Sequence, residues 1–272
     1  MHKLIGAKIS DISRHLPGEL FIGEIRVIII DPHNHILPYW FREFLANRSS
    51  LVAVRIDAHH DMFHCCPALP AREGRDAFEY ISRLMPSLYS YSREKVNEGN
   101  FTAPAFHCGI VAALYHFRPK DNKMDAYGRV SGSVSIGEPK TTERRGNHGE
   151  SKGRRIVWDE SFTDLQGSSA KTFPVPKKVA LNDFSRDMQD CILPIAVGFD
   201  LDGLYENGDK GSSSPDEIIN DRLAMVRRVL DSIARPQFIC LARSQTPRSY
   251  IPAEVVDRAQ NSALNLIWKI YA

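Results

Sequence analysis

Leu51-Val52-Ala53-Val54-Arg55-Ile56-Asp57-Ala58-His59-His60-Asp61 runs from an apolar stretch straight into a polar cluster. The apolar part is short and rich in β-branched residues, which suits a strand buried inside a sheet. The polar part then stands at the strand's carboxyl end, where an open parallel sheet presents side chains to ligands. The pattern recurs on either side. Arg26-Val27-Ile28-Ile29-Ile30 leads into Asp31-Pro32-His33-Asn34-His35, and the run from Ile192 to Phe199 leads into Asp200-Leu201-Asp202. Gln237 to Ala242 is a fourth apolar run. The spacing predicts a helix over 215–234. Ser214 serves as N-cap, Pro215 as first helical residue and Glu217 as the far side of a capping box, with Ile219, Leu223, Val226, Leu230 and Ile233 as its apolar stripe. Tyr39–Leu45, Phe78–Leu84 and Ala253–Ile270 show weaker helical patterning. Apolar strands separated by helices predict an α/β fold, a three-layer α/β/α arrangement around a mainly parallel sheet.

Composition excludes several classes of function. The 272 residues carry 35 Lys and Arg against 33 Asp and Glu, a net charge of +2, with 43% hydrophobic residues. That balance argues against whole-chain disorder and gives no basic surface for nucleic acid or membrane. No apolar run approaches the ~18 residues of a membrane span, and the first twenty residues lack a signal-peptide pattern. Five scattered cysteines read as reduced thiols, so a cytoplasmic enzyme is expected. A single catalytic domain over 1–272 is expected. Its segment 118–178, rich in Gly, Ser, Lys, Arg and Glu, is read as an insertion, either solvated decoration or a flap over the site.

The three polar clusters carry the chemistry. Gathered on one rim of a sheet, their carboxylates and imidazoles suit a pair of divalent ions, because carboxylates bridge cations and an oxygen-and-imidazole shell favours manganese or iron. Two such ions share a water and lower its pKa. Without cations the cluster would be badly desolvated and self-repelling. An Asp-x-Asp pair alone is commonplace, whereas Asp-x-His-x-Asp arises by chance in about one chain in fifty. His33 and His35 are both candidates for the first ligand.

The order of the motifs resembles the arginase/deacetylase superfamily: a first histidine, then Asp57-Ala58-His59-His60-Asp61, then Phe199-Asp200-Leu201-Asp202. His33 with Leu37-Pro38, the stretch from Pro104 to Gly109, and Leu241-Ala242-Arg243-Ser244 look like a subfamily that includes bacterial peptide arginases. Those enzymes convert arginine side chains of ribosomally made precursor peptides to ornithine. The resemblance covers most of the chain outside 118–178. It implies that Asp57 and Asp200 bridge two Mn²⁺ ions, Fe²⁺ being the alternative. His33 and Asp61 would complete one shell, and His59 and Asp202 the other. It also implies that His35 contacts substrate or relays protons, and that His107 protonates the leaving amine. The expected partner is an arginine-containing precursor peptide.

One departure stands out. Arginases place a guanidinium-binding carboxylate late in the chain, where this sequence reads Arg243-Ser244-Gln245-Thr246-Pro247; Glu254 is the nearest late carboxylate. The competing readings are a ureohydrolase of a free small guanidine such as arginine or agmatine, a superfamily deacetylase, and a non-catalytic metal-binding interaction protein.

Overall fold

In the computed structural model, which describes residues 17–63, 66–67, 69–70, 75–128, 139–141, 172–174, 176–211 and 213–272, the chain enters the sheet through a hairpin. Its arms are β1 (Gly18–Ile22) and β2 (Ile25–Ile30), paired antiparallel. A 3₁₀ turn (His33–Ile36) and α1 (Leu37–Asn47) then lead to β3 (Leu51–Ile56). Next come α2 (Ala77–Glu94), α3 (Thr102–His107), β4 (Val111–Arg118) and β5 (Lys123–Gly128). A short antiparallel ribbon, β6 (Pro139–Thr141) with β7 (Thr172–Pro174), precedes β8 (Lys177–Val179) and α4 (Leu181–Gln189). The chain closes with β9 (Ile195–Asp200), α5 (Pro215–Leu230), β10 (Phe238–Ala242) and α6 (Ala253–Tyr271).

Eight strands make one sheet in the order β1-β2-β10-β9-β3-β4-β5-β8. The five from β2 to β4 are parallel, and antiparallel partners flank them on both sides. Because successive side chains point to opposite faces, each central strand feeds two cores. Val52, Val54, Val197 and Ile239 pack with Val226 of α5 and Ala259 of α6. Leu51, Ala53, Ala196 and Cys240 pack with Trp40 of α1 and Leu84 of α2. The fold is therefore three-layered α/β/α, as the apolar runs implied. Each large side chain taken fully out of water contributes about 1.5–3 kcal/mol.

Several boundaries differ from the sequence reading. The third strand begins at Ile195 rather than Ile192, which is 82% exposed. α5 ends at Leu230, where Asp231 caps it, although Ile233 still packs in the core. α2 runs eighteen residues and carries Pro86 in its interior. An interior proline costs about 3 kcal/mol, which burial of Tyr80, Ile81, Leu84 and Leu88 on one face offsets. The segment 118–178 is corrected at its near end. Met124, Ala126 and Tyr127 are buried in β5, a full member of the main sheet, and β8 adds its edge. β5 mixes Lys123, Asp125 and Gly128 with apolar residues, so composition alone reads it as solvated although it is buried between β4 and β8. Residues 129–138 and 142–171, where a flap would lie, are outside the described residues. Among the described residues no helix is long and apolar enough to cross a membrane.

Register places the site. Ile30 pairs with Ala242, Ala242 with Asp200, and Ile56 with Phe199, so the parallel strands finish level. From β3 the chain moves outward to β4, and from β9 it moves the opposite way to β10. Adjacent β3 and β9 thus form the point where connections diverge, the crevice in which open α/β sheets bind ligands. Asp57 and Asp200 stand there.

Candidate metal centre

Short turns fix the carboxylates before any ligand arrives. Asp57 Oδ1 accepts the His59 N–H (2.6 Å), Asp200 Oδ1 accepts the Asp202 N–H (3.2 Å), and Asp202 Oδ1 accepts the Ala58 N–H (3.2 Å). Aspartates that bond the backbone two residues on are turn formers. Here the same bonds leave the second oxygens turned to the centre. Asp61 adopts a left-handed backbone (φ 45°), and its carbonyl accepts the Thr102 hydroxyl at 2.8 Å.

His33 lies fully buried in the 3₁₀ turn after β2. Its Nδ1 stands 3.0 Å from Asp57 Oδ2, 3.3 Å from Asp200 Oδ2 and 3.6 Å from Asp61 Oδ2. None of these approaches has hydrogen-bond geometry, and neither ring nitrogen has a hydrogen-bond partner. A buried imidazole lone pair converging with carboxylate oxygens fits a shared cation better than it fits a set of hydrogen bonds. Gly198 of β9 makes room for it, since a Cβ there would sit 3.1 Å from His33 Nε2.

Two groups of three donors could each hold an ion, with ligand atoms within 4.8 Å of one another: His33, Asp57 and Asp200, and Asp57, His59 and Asp202. Asp57 belongs to both. His59 Nδ1 is 2.9 Å from Asp202 Oδ2, and the imidazole packs against Tyr250 with ring centroids 5.1 Å apart. Asp61 is in neither group. Its Oδ2 instead accepts from Arg55 at 2.7 Å.

Arg55 is the residue the sequence reading passed over. It projects from β3 on the same side as Asp57, wholly buried, and its guanidinium bonds Asp57 Oδ2, Asp61 Oδ2 and, at 3.0 Å, the His60 carbonyl. The Phe101 ring lies 5.2 Å below it. The carboxylates of Asp57 and Asp61 thus share the buried Arg55 guanidinium, and the pKa directions around it reflect the crowding of negative charge. Burial would raise Asp57, but Arg55 and His33 beside it hold its carboxyl low. Asp61 is pushed up to about 7 by burial and by the charge of Asp57. Asp202 is raised well above the usual carboxylate range by burial and by Asp200 and Asp57. His59 is raised to about 9 by its bond to Asp202. Burial opposes protonation of His33, yet Asp200, Asp57 and Asp61 outweigh it and raise its pKa. A cluster that clings to protons in this way is short of positive charge, which divalent cations supply.

The loop after β10 closes one side. Ser244, also left-handed (φ 50°), donates its hydroxyl to Asp200 Oδ2 at 2.6 Å. Asp31 accepts from the Gln245 N–H at 3.0 Å and from the Thr246 hydroxyl, tying the loop to the end of β2. Together with Met62, Phe63 and the turn at 97–99, these elements enclose a cleft of about 570 Å³ over His59, Asp61, Asp200 and Asp202.

A third donor group, His60, His116 and Asp125, lies beside the centre. The His116 Nε2 reaches the Asp57 carbonyl at 3.2 Å, and Arg118 contacts both His60 and Asp125 (3.2 Å to Oδ2). Three of these residues stand on β4 and β5, strands the sequence reading did not separate from their surroundings.

Two expected catalytic residues are not brought to the cleft. His35 lines a separate cavity of about 370 Å³ with Asp31, Tyr39, Tyr89 and Arg93. The 3₁₀ turn is the cause, since residues two apart on it point to different sides. His107 is buried at the end of α3, and that burial lowers its pKa to about 3. Glu254 is 70% exposed and pairs with Lys210 at 3.5 Å, outside the cleft. His33→Ala is expected to lower the metal content of purified protein sharply, and His35→Ala to leave it intact. Elemental analysis of both variants checks the assignment.

No family model matches the chain, and no curated protein matches it.

Proposed function

We propose that this protein hydrolyses the guanidinium of peptide-bound arginine at a centre of two divalent ions, manganese or alternatively iron, releasing urea and leaving ornithine. The observation that carries the reading is the sharing of Asp57 between two donor groups, with the His33 Nδ1 set among three carboxylates. Bound there, such ions would generate a water-derived nucleophile at neutral pH and polarise the group under attack.

The chain's own residues do the rest. Asp57 sits where both ions would need an oxygen, and Asp200 is held on the adjacent strand by the Ser244 hydroxyl. Asp202 orients the half-exposed His59 at the floor of the cleft. In the reaction the water oxygen ends on the urea carbon. The bond from that carbon to the side-chain nitrogen breaks, and the nitrogen, taking both protons of the water, leaves as the ornithine ammonium group. The peptide context rests on the resemblance carried by His33, Leu37-Pro38 and Leu241-Ala242-Arg243-Ser244. His59, the half-exposed Phe63 and Tyr250 line the cleft in which an arginine side chain would lie.

A capped arginine peptide incubated with the manganese-loaded protein is expected to lose about 42 Da per arginine, the CH₂N₂ removed when water enters and urea leaves. No mass change with any arginine substrate would overturn the reading. A higher kcat/KM for free arginine than for the capped peptide would move the function to a small-guanidine ureohydrolase, because that ratio compares transition states.

A further inference from the structure

We propose that Glu98 receives the cationic head of the substrate, holding the arginine guanidinium beside the metal centre; the inference rests on the guanidinium-hydrolase reading above.

Glu98 lies in the turn between α2 and α3, and that turn is built to hold it still. The Asn97 Oδ1 accepts the Gly99 N–H at 2.9 Å, and the Asn100 Oδ1 accepts the Asn97 N–H at 2.9 Å. The Gly99 carbonyl accepts the Phe63 N–H at 2.8 Å, which clamps the turn to the loop leaving Asp61. Gly99 allows the close approach, because a Cβ there would fall 2.5 Å from the Phe63 ring. Between these fixed neighbours the Glu98 side chain lines the same cleft as His59, Asp200 and Asp202.

Its Oε1 is buried and has no hydrogen-bond partner among the described residues. A carboxylate oxygen taken from water without a donor is costly, and a fold keeps one where a ligand brings the donors. A metal does not meet the need, since Glu98 belongs to none of the three-donor groups. Burial and the nearby Asp200 charge raise its carboxyl pKa more than its own backbone N–H and His33 lower it, and an arriving cation would act against that rise. The guanidinium is the fitting donor. It is planar and offers five N–H groups in a fixed fork, so one edge can engage Glu98 while the central carbon stays open to attack. The recognising carboxylate would then come from mid-chain, not from the late stretch around Glu254.

The test compares wild type, Glu98→Gln and Glu254→Gln, all manganese-loaded with metal content measured. The glutamine keeps the shape and removes the charge. Glu98→Gln is expected to retain metal and melting temperature while kcat/KM for urea release from a capped arginine peptide falls about 10- to 100-fold, the loss typical of a hydrogen bond to a charged group. Glu254→Gln should match wild type. Methylguanidinium, used as a binding probe, should raise the melting temperature of wild type and leave Glu98→Gln unmoved. Unchanged kinetics together with an unchanged methylguanidinium response in Glu98→Gln overturn the proposal, as does loss of metal, which would make Glu98 a ligand. If wild type releases no urea from any arginine substrate, the hydrolase reading fails, and the methylguanidinium comparison still decides whether Glu98 binds the cation.

Discussion

Asp57→Asn is expected to remove turnover entirely and to weaken metal binding more than any other single ligand change. The residue serves both three-donor groups, so its loss strips an oxygen from each potential ion. Replacing groups that merely orient a ligand costs about 10–100-fold in metal affinity, and a shared ligand should exceed that. Asparagine keeps the volume and the acceptor for the His59 N–H (2.6 Å in wild type), so the turn at 57–59 should survive. Titration with manganese, followed by metal content after gel filtration, measures the loss. Near-normal retention of both metal and turnover would sink the two-ion assignment.

The second large effect concerns Arg55. Its guanidinium is a permanent charge that bonds both Asp57 and Asp61 from within the strand layer, and it is wholly buried. Arg55→Met should destabilise the metal-free protein by about 3–5 kcal/mol, the usual result of stranding a buried partner charge. For a chain of this size that lowers Tm by on the order of 10 °C. Saturating manganese should recover part of the loss, because the ion binds only the folded state and neutralises the same carboxylates. Thermal unfolding of both proteins with and without metal gives the answer. If metal fails to narrow the gap, Arg55 acts through packing on Phe101 and not as counter-ion to the ligands.

The parts of the site that were legible in the sequence are those fixed by strand ends. A buried parallel strand must be apolar on both faces, so the first polar residues after Ile30, Ile56 and Phe199 announce themselves, and register brings them level. Arg55 was hidden by the same logic. Within an apolar run a single arginine reads as an interruption, and nothing in the spacing reveals that its guanidinium turns onto Asp57 and Asp61. His116 meets the Asp57 carbonyl from 59 positions along the chain, and Asp125 and Glu98 likewise reach the site from distant parts of the sequence, which no local pattern encodes. His35 and His107 lie outside the cleft lining for a different reason. Both were assigned by motif position, whereas the direction of a side chain depends on the turn of a 3₁₀ segment and on the depth at which α3 packs.

Asp57 and Asp200 extend from neighbouring parallel strands at the same level, and neighbouring strands lie about 4.8 Å apart whatever their side chains. The sheet therefore acts as a length standard for the centre. The gap between the two carboxylates is set by backbone hydrogen bonds that form when the domain folds, and no loop has to close to establish it. A change of chemistry in this scaffold would come from the loop walls at 97–99 and 244–250, while the gauge beneath them stays constant.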